Sequence, residues 1–144
     1  QMDLLMSHQA GFENTVATSG TALHDSLVSK DNIVTNLGMI NRLSNKIIFA
    51  FDADSAGFKA SERAIKIGLS LGMELKMAEI SGGKDPADLI AADPLAWKKT
   101  VHEASHIIEF LLNKILSASH EKRELGREVE KKILPYFGGN NKIL

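Results

Sequence analysis

The apolar positions of the 144-residue chain change their spacing several times, and each change marks an element. Through "MDLLMSHQAG" they recur at helical intervals and stop at Gly11, a residue suited to the left-handed turn that closes a helix. "NTVAT", residues 14–18, is short and β-branched, which predicts a strand after that helix. Residues 19–44 read as mostly helical with polar interruptions. "NKIIFAFD" is the clearest strand, and its nearly continuous apolar run belongs to parallel strands covered on both faces. "SAGFKASERAIKIGLSLG" predicts a helix of about five turns closed by Gly72. "MELKMAEI" then alternates with the period of a strand. In "GGKDPADLIAADPLAWKKTVHEASHIIEFLLNKIL" the pattern gives two short helices started by Pro86 and Pro94, then a longer one. Trp97, Phe110, Leu111 and Ile115 fall at helical spacing and are expected in the core between the sheet and the last helices. "HEKRELGREVEKKILPYF" is a charged amphipathic helix ending near Pro135.

Strand and helix alternate to about residue 80, and only helix follows. That order predicts an α/β fold, a parallel sheet flanked by helices, followed by a separate small helical element. The chain opens inside a helix and closes on "NNKIL" with no stop signal, so it reads as a fragment.

Composition narrows the classes. A chain 44% hydrophobic and 24% charged can bury a core, unlike a disordered one. Its formal net charge of -1 gives no overall basic field, so nucleic acid would have to be held by local patches. The absence of cysteine excludes disulfide frameworks and thiolate metal sites and fits a reducing cytoplasm. No apolar run approaches the roughly 18 residues of a membrane span, and no signal peptide is visible, so a soluble cytoplasmic protein is expected.

Candidate chemistry lies where the strands end. Asp52 and Asp54 close the "KIIFAFDAD" run, and in an open parallel sheet ligands bind outside the carboxyl ends of the strands. Alternation puts both carboxylates on one side of the backbone, where they repel unless a cation lies between them. A hard divalent ion such as magnesium suits such oxygen donors. In the following "SAG", Ser55 can cap the next helix, and Ala56 and Gly57 leave room for close approach. "GGKDPADLI" offers Asp85 and Asp88 after the next strand. The bland alternatives are that Asp52 and Asp85 cap helices, that Asp54 is a solvated loop residue, and that Asp88 sits in a first turn favoured by the helix dipole.

In this order the residues resemble the Toprim domain of bacterial replicative DNA primases, the DnaG type. "MDLLMSHQAGFENTVATSGTAL" is similar to the segment after the Toprim glutamate, "IIFAFDADSAGFKASERAI" to the D-x-D strand and helix, and "GKDPADLI" to the third acidic motif. "AWKKTVHEASHIIEFLL" and "REVEKKILPYF" are similar to the connection into the bundle that closes the primase core. The resemblance implies that 1–101 is a Toprim domain lacking its first strand and glutamate, and that 102–144 are connecting helices and the start of a C-terminal helical bundle. It implies catalytic, metal-binding roles for Asp52, Asp54 and Asp85, with Asp88 a further ligand. Asp3, Gly20, Thr21 and Gly57 would support the site, and Lys59 and Lys84 would contact phosphates, with Lys46 and Arg63 as further basic candidates. The activity implied is synthesis of short RNA primers on single-stranded DNA from ribonucleoside triphosphates, with Mg2+ or Mn2+ and no zinc in this piece. The replicative helicase would be met through a region outside the chain, and the fragment alone would make no primers. Three departures stand out: the glutamate, expected two residues before Gln1, is outside the chain; Gln1 replaces an aromatic; and Ala87 stands where the third motif commonly has its second aspartate. Residues 24–44 are longer than usual and read as a surface insertion.

Rival readings rest on shorter patterns. "HEASH", 102–106, matches H-E-x-x-H, which on a helix would set His102 and His106 one turn apart for zinc, with Glu103 as general base. A haloacid-dehalogenase-like phosphatase also places D-x-D after a strand, but "SAG" departs from its usual continuation. Other Toprim proteins, topoisomerases and nucleases among them, share the metal site; a topoisomerase needs a catalytic tyrosine, for which the chain offers only Tyr136.

Overall fold

The computed structural model describes residues 2–17, 36–50, 55–80, 85–118 and 122–137. Helix α1, Met2–Gln9, ends at Gly11, whose φ of 88° is the left-handed conformation that a side chain would oppose. The strand expected at 14–18 does not form over the described positions: Asn14 lies in a turn, and 15–17 carry no strand. A strand needs a ladder partner, and here the Thr15 carbonyl instead accepts a hydrogen bond from His8 Nε2 at 3.0 Å. Of the helical stretch expected over 19–44, residues 36–44 are described: α2, Asn36–Asn41, then a turn at Arg42 and Leu43; residues 19–35 lie outside the described residues.

Strand β1, Lys46–Phe49, passes into α3, Ser55–Ser70, and returns as β2, Glu74–Met77. The two strands are parallel, paired from Lys46↔Glu74 to Phe49↔Met77. Backbone bonds continue at both ends, Glu74 N to Asn45 O at 2.7 Å and Ala78 N to Phe49 O at 2.9 Å. Gly72, with φ 71°, turns the chain from α3 into β2. Gly68 serves packing instead. A Cβ there would stand 2.9 Å from both Leu75 methyl carbons, so its absence lets α3 settle onto β2.

Helices α4, Pro86–Ala92, and α5, Pro94–His102, begin with the expected prolines, capped by Asp85 and Asp93. A two-residue strand, β3, Ser105–His106, then pairs antiparallel with Lys76 and Met77 of β2, completing a sheet in the order β1-β2-β3. Helix α6, Ile107–Ala118, helix α7, Lys122–Lys132, and a 3-10 turn at Leu134–Tyr136 follow. The fold is therefore mixed α/β with flanking helices, and its third strand comes from sequence that reads as helix.

Two apolar clusters form. The larger joins Phe49, Leu75 and Met77 of the sheet to Ala64, Ile65 and Ile67 of α3, Ile107, Leu111 and Ile115 of α6, and Ile133. The smaller consists of Ile80, Ile90 and Trp97, with Ala50, Met6, Ala10 and Phe12 packed on it. Strand alternation explains the division: Ile47, Phe49, Leu75 and Met77 share one face, while Ala50 and Ile80 continue the opposite alternation past the strand ends. This corrects the expectation that β1 is covered on both faces. Ile48, between two core residues, is 43% exposed because its face is packed only near the carboxyl ends among the described residues.

Candidate functional site

Strands β1 and β2 run parallel and end level, at Phe49 and Met77, and an acidic segment follows each in the sequence. Asp52, Asp54, Gly20, Thr21 and Lys84 lie outside the described residues. Gly57 and Lys59 fall in the first turns of α3, which starts at Ser55 directly after the D-x-D. Lys46 is at the other end of β1, 3.2 Å from Glu74 across the strand pair, away from any ligand at the carboxyl ends.

Asp85 and Asp3 converge on the start of α4. Asp85 is its N-cap, with extended backbone, and its Oδ1 accepts from Asp88 N at 2.7 Å. Asp3 Oδ1 accepts from Ala87 N at 3.0 Å, joining residues 84 positions apart. Pro86 brings no N–H, so the two carboxylates satisfy the donors of the second and third helical positions. Each aspartate uses one oxygen in these bonds and keeps the other outside them. The capping role of Asp85 and a ligand role are therefore compatible on one side chain. Asp88 is exposed in the same first turn. Among the described residues, no three His, Cys, Asp or Glu side chains stand together as a metal-binding group.

Near the strand ends lies the smaller cluster. Trp97 is 3% exposed, and the ring of Phe12 meets it edge-on with centroids 6.1 Å apart. Sequence spacing places Trp97 with Leu111 and Ile115 in one core; the structure puts it in the other, with α1, α4 and the strand ends.

The H-E-x-x-H reading is overturned by the local backbone. Helix α5 ends at His102, Glu103 is its C-cap, Ala104 is buried, and His106 belongs to β3. The Nδ1 of His106 accepts from Ile108 N at 3.3 Å, capping α6, so the two histidines do not share a helical face. Tyr136 packs against the larger cluster; burial, and then the charge of Glu62, pushes its phenol above the ordinary value, which disfavours the phenolate a nucleophile needs. The tie between Asp3 and Ala87 had no local signal, because a contact across 84 residues leaves no periodicity to read.

No described helix is long and apolar enough to cross a membrane. A family model described as Toprim-like matches residues 1–90. The chain is 34% identical over 117 residues to a DNA primase of Campylobacter jejuni, covering 81% of this chain and 18% of that protein. It thus spans about a fifth of the length of such relatives. Among solved structures, the zinc-binding and RNA polymerase domains of the Aquifex aeolicus primase superpose with a TM-score of 0.72 at 24% identity, over 96% of this chain and 31% of that one. A DnaG primase catalytic domain bound to ssDNA gives a TM-score of 0.68 at 21% identity, over 94% and 42%. These structures establish the fold. With the family match spanning more than half of its length, the chain belongs to the Toprim-like family and is similar to bacterial DNA primases.

Proposed function

We propose that the chain is part of a DNA primase catalytic core, a nucleotidyltransferase, and that its strand-end carboxylates support divalent-cation-dependent synthesis of RNA primers on single-stranded DNA. The observation that carries this reading is the level, parallel ending of β1 and β2 at Phe49 and Met77, the two strands that "FDADSAG" and "GKDPADLI" follow in the sequence. The family match and the similar catalytic domain bound to ssDNA support it. In this reading Asp52, Asp54 and Asp85 are the acidic donors, Asp88 is a further one, and Gly20, Thr21 and Gly57 shape the surrounding backbone. Lys59 and Lys84 contact the phosphates of a ribonucleoside triphosphate. The donors are hard carboxylate oxygens and the chain has no cysteine, which fits Mg2+ or Mn2+ better than zinc. Such ions, when bound, neutralise charge that develops on phosphate. The chain's own part is placement: Asp3 and Asp85 hold the start of α4 through two backbone N–H groups, fixing the free oxygen of Asp85 there. No side chain acts as nucleophile, since the attacking group is the primer's hydroxyl. Contact with a replicative helicase belongs to a region outside this chain, in the cytoplasm.

The test is a Mn2+ titration of the isotope-labelled chain by NMR. Amides around 52–57 and 85 broaden, and the double substitution Asp52→Asn, Asp54→Asn removes the effect. Broadening confined to other residues, or unchanged in the double variant, would sink the reading. If nothing broadens, repeating the titration on a chain extended upstream through the expected glutamate decides between a missing ligand and a wrong assignment.

A further inference from the structure

The smaller cluster is centred on a residue with an unmet demand. Trp97 is buried, yet its Nε1–H has no hydrogen-bond partner among the described residues, a state that costs about 1–3 kcal/mol. The indole is held by packing, and the cluster it belongs to indicates its use. Ala50, the residue that leaves β1 two positions before Asp52, packs on the cluster, and Ile80, which leaves β2 five positions before Asp85, is a member of it. Ile90 belongs to α4, whose N-cap is Asp85; Met6 and Ala10 belong to the neighbourhood of α1, whose Asp3 holds that same helix start. Among the described residues, the cluster thus joins the ends of β1 and β2 to α4 and α1, and Trp97 is its largest buried side chain. Interiors packed at crystal density transmit small displacements instead of absorbing them.

We propose that Trp97 is a positioning residue whose ring sets the separation of the β1 and β2 ends and the seat of α4, and through them the relative placement of the carboxylates that follow. This rests on the metal-site reading above. The competing account is that Trp97 only adds buried area, in which case any equally destabilising cavity would have the same consequence.

The experiment compares Mn2+ affinity of the 144-residue chain, read from the NMR titration, in wild type, Trp97→Leu, Trp97→Phe and Leu111→Ala, at a temperature where circular dichroism shows all folded. Removing the ring in Trp97→Leu weakens Mn2+ by about tenfold or more, as loss of groups that orient ligands does. Trp97→Phe keeps an aromatic ring and discards the unpaired donor, and its affinity stays within about threefold of wild type while volume is largely retained. Leu111→Ala, in the other cluster, lowers stability and leaves affinity unchanged. Wild-type affinity in folded Trp97→Leu, or equal weakening by Leu111→Ala, overturns the proposal. A measurement on the wild type covers a variant that fails to fold: the chain has one tryptophan, hence one indole cross-peak. Coupling is reciprocal, so diamagnetic Mg2+ shifts that peak in wild type and not in the Asp52→Asn, Asp54→Asn variant. An unmoved indole, while amides at 52–57 respond to metal, refutes the positioning role and spares the metal site. A chain in which no amide at 52–57 responds, even when extended upstream, removes the metal-site reading and this inference with it.

Discussion

The two apolar clusters on opposite faces of one sheet are built differently. The larger takes whole elements: the inward face of β1 and β2, three residues of α3, and Ile107, Leu111 and Ile115 along one stripe of α6. The smaller takes ends: the residues just past β1 and β2, one turn each of α4 and α5, and the face of α1. Long elements that bury a continuous face supply most of the area that drives folding. A cluster of element ends buries less, but it lies where loops carrying carboxylates must start. The comparison assigns stability mainly to one face and placement of the candidate site mainly to the other.

The sharpest test of that division is Leu75→Ala. Leu75 is fully buried between Gly68 of α3 and the stripe of α6, so its truncation should cost about 2–5 kcal/mol in urea unfolding. Distant sites with no shared partners act additively, so the Mn2+ broadening pattern of the folded chain should stay as in wild type. A metal response that changes along with stability would mean that the clusters act as one.

A smaller effect is expected where α1 meets α4. Asp3→Ala leaves Ala87 N–H without its acceptor and should cost about 1 kcal/mol, typical of a lost helix cap. Asp3→Asn keeps an acceptor oxygen and loses the charge, and should fall between the two. Hydrogen exchange should show the Ala87 amide opening faster in Asp3→Ala while the amides of β2 keep their protection. Loss of protection spread evenly through β2 would tie Asp3 to the larger cluster and blur the comparison.

How much of this was legible follows from the range of the interactions involved. Helix α3, strand β2 and both proline-started helices declare themselves within a few residues, because periodicity, Gly72, Asp85 and Asp93 all act locally. Strand β3 does not. Two residues cannot display a period, and "HEASH" offers helical spacing until pairing to Lys76 and Met77 and the cap from His106 break it. The apolar run of β1 overstated burial for a related reason: sequence reports which residues can be covered, and Ile48 shows that coverage belongs to the partner elements. At the site, the motif order names Asp85 as a candidate and its capping bond to Asp88 is local, but the reach of Asp3 to Ala87 is a tertiary fact. Trp97 was legible as core and not as which core, since α5 can turn its one buried residue to either side.

The smallest predicted effect lies at Glu128 of α7, a residue that belongs to neither cluster. Glu128 Oε2 stands 2.6 Å from Lys132 Nζ, one turn away, and that bond holds the Glu128 carboxyl below its ordinary value of 4.5, with Lys131 adding to the pull. A carboxyl whose folded pKa is depressed contributes stability above its unfolded value and loses it as pH falls through the lowered one. Glu128→Gln should therefore lower the thermal midpoint slightly at neutral pH, with the difference closing below about pH 4.5 and shrinking in high salt. The same substitution should leave Mn2+ affinity untouched, because α7 packs over the larger cluster through Leu125 and Val129 and touches none of the element ends that make the smaller one. A difference that instead widens in acid would require a group other than this pair, and a change in metal affinity would show that charge on the stability face reaches the site.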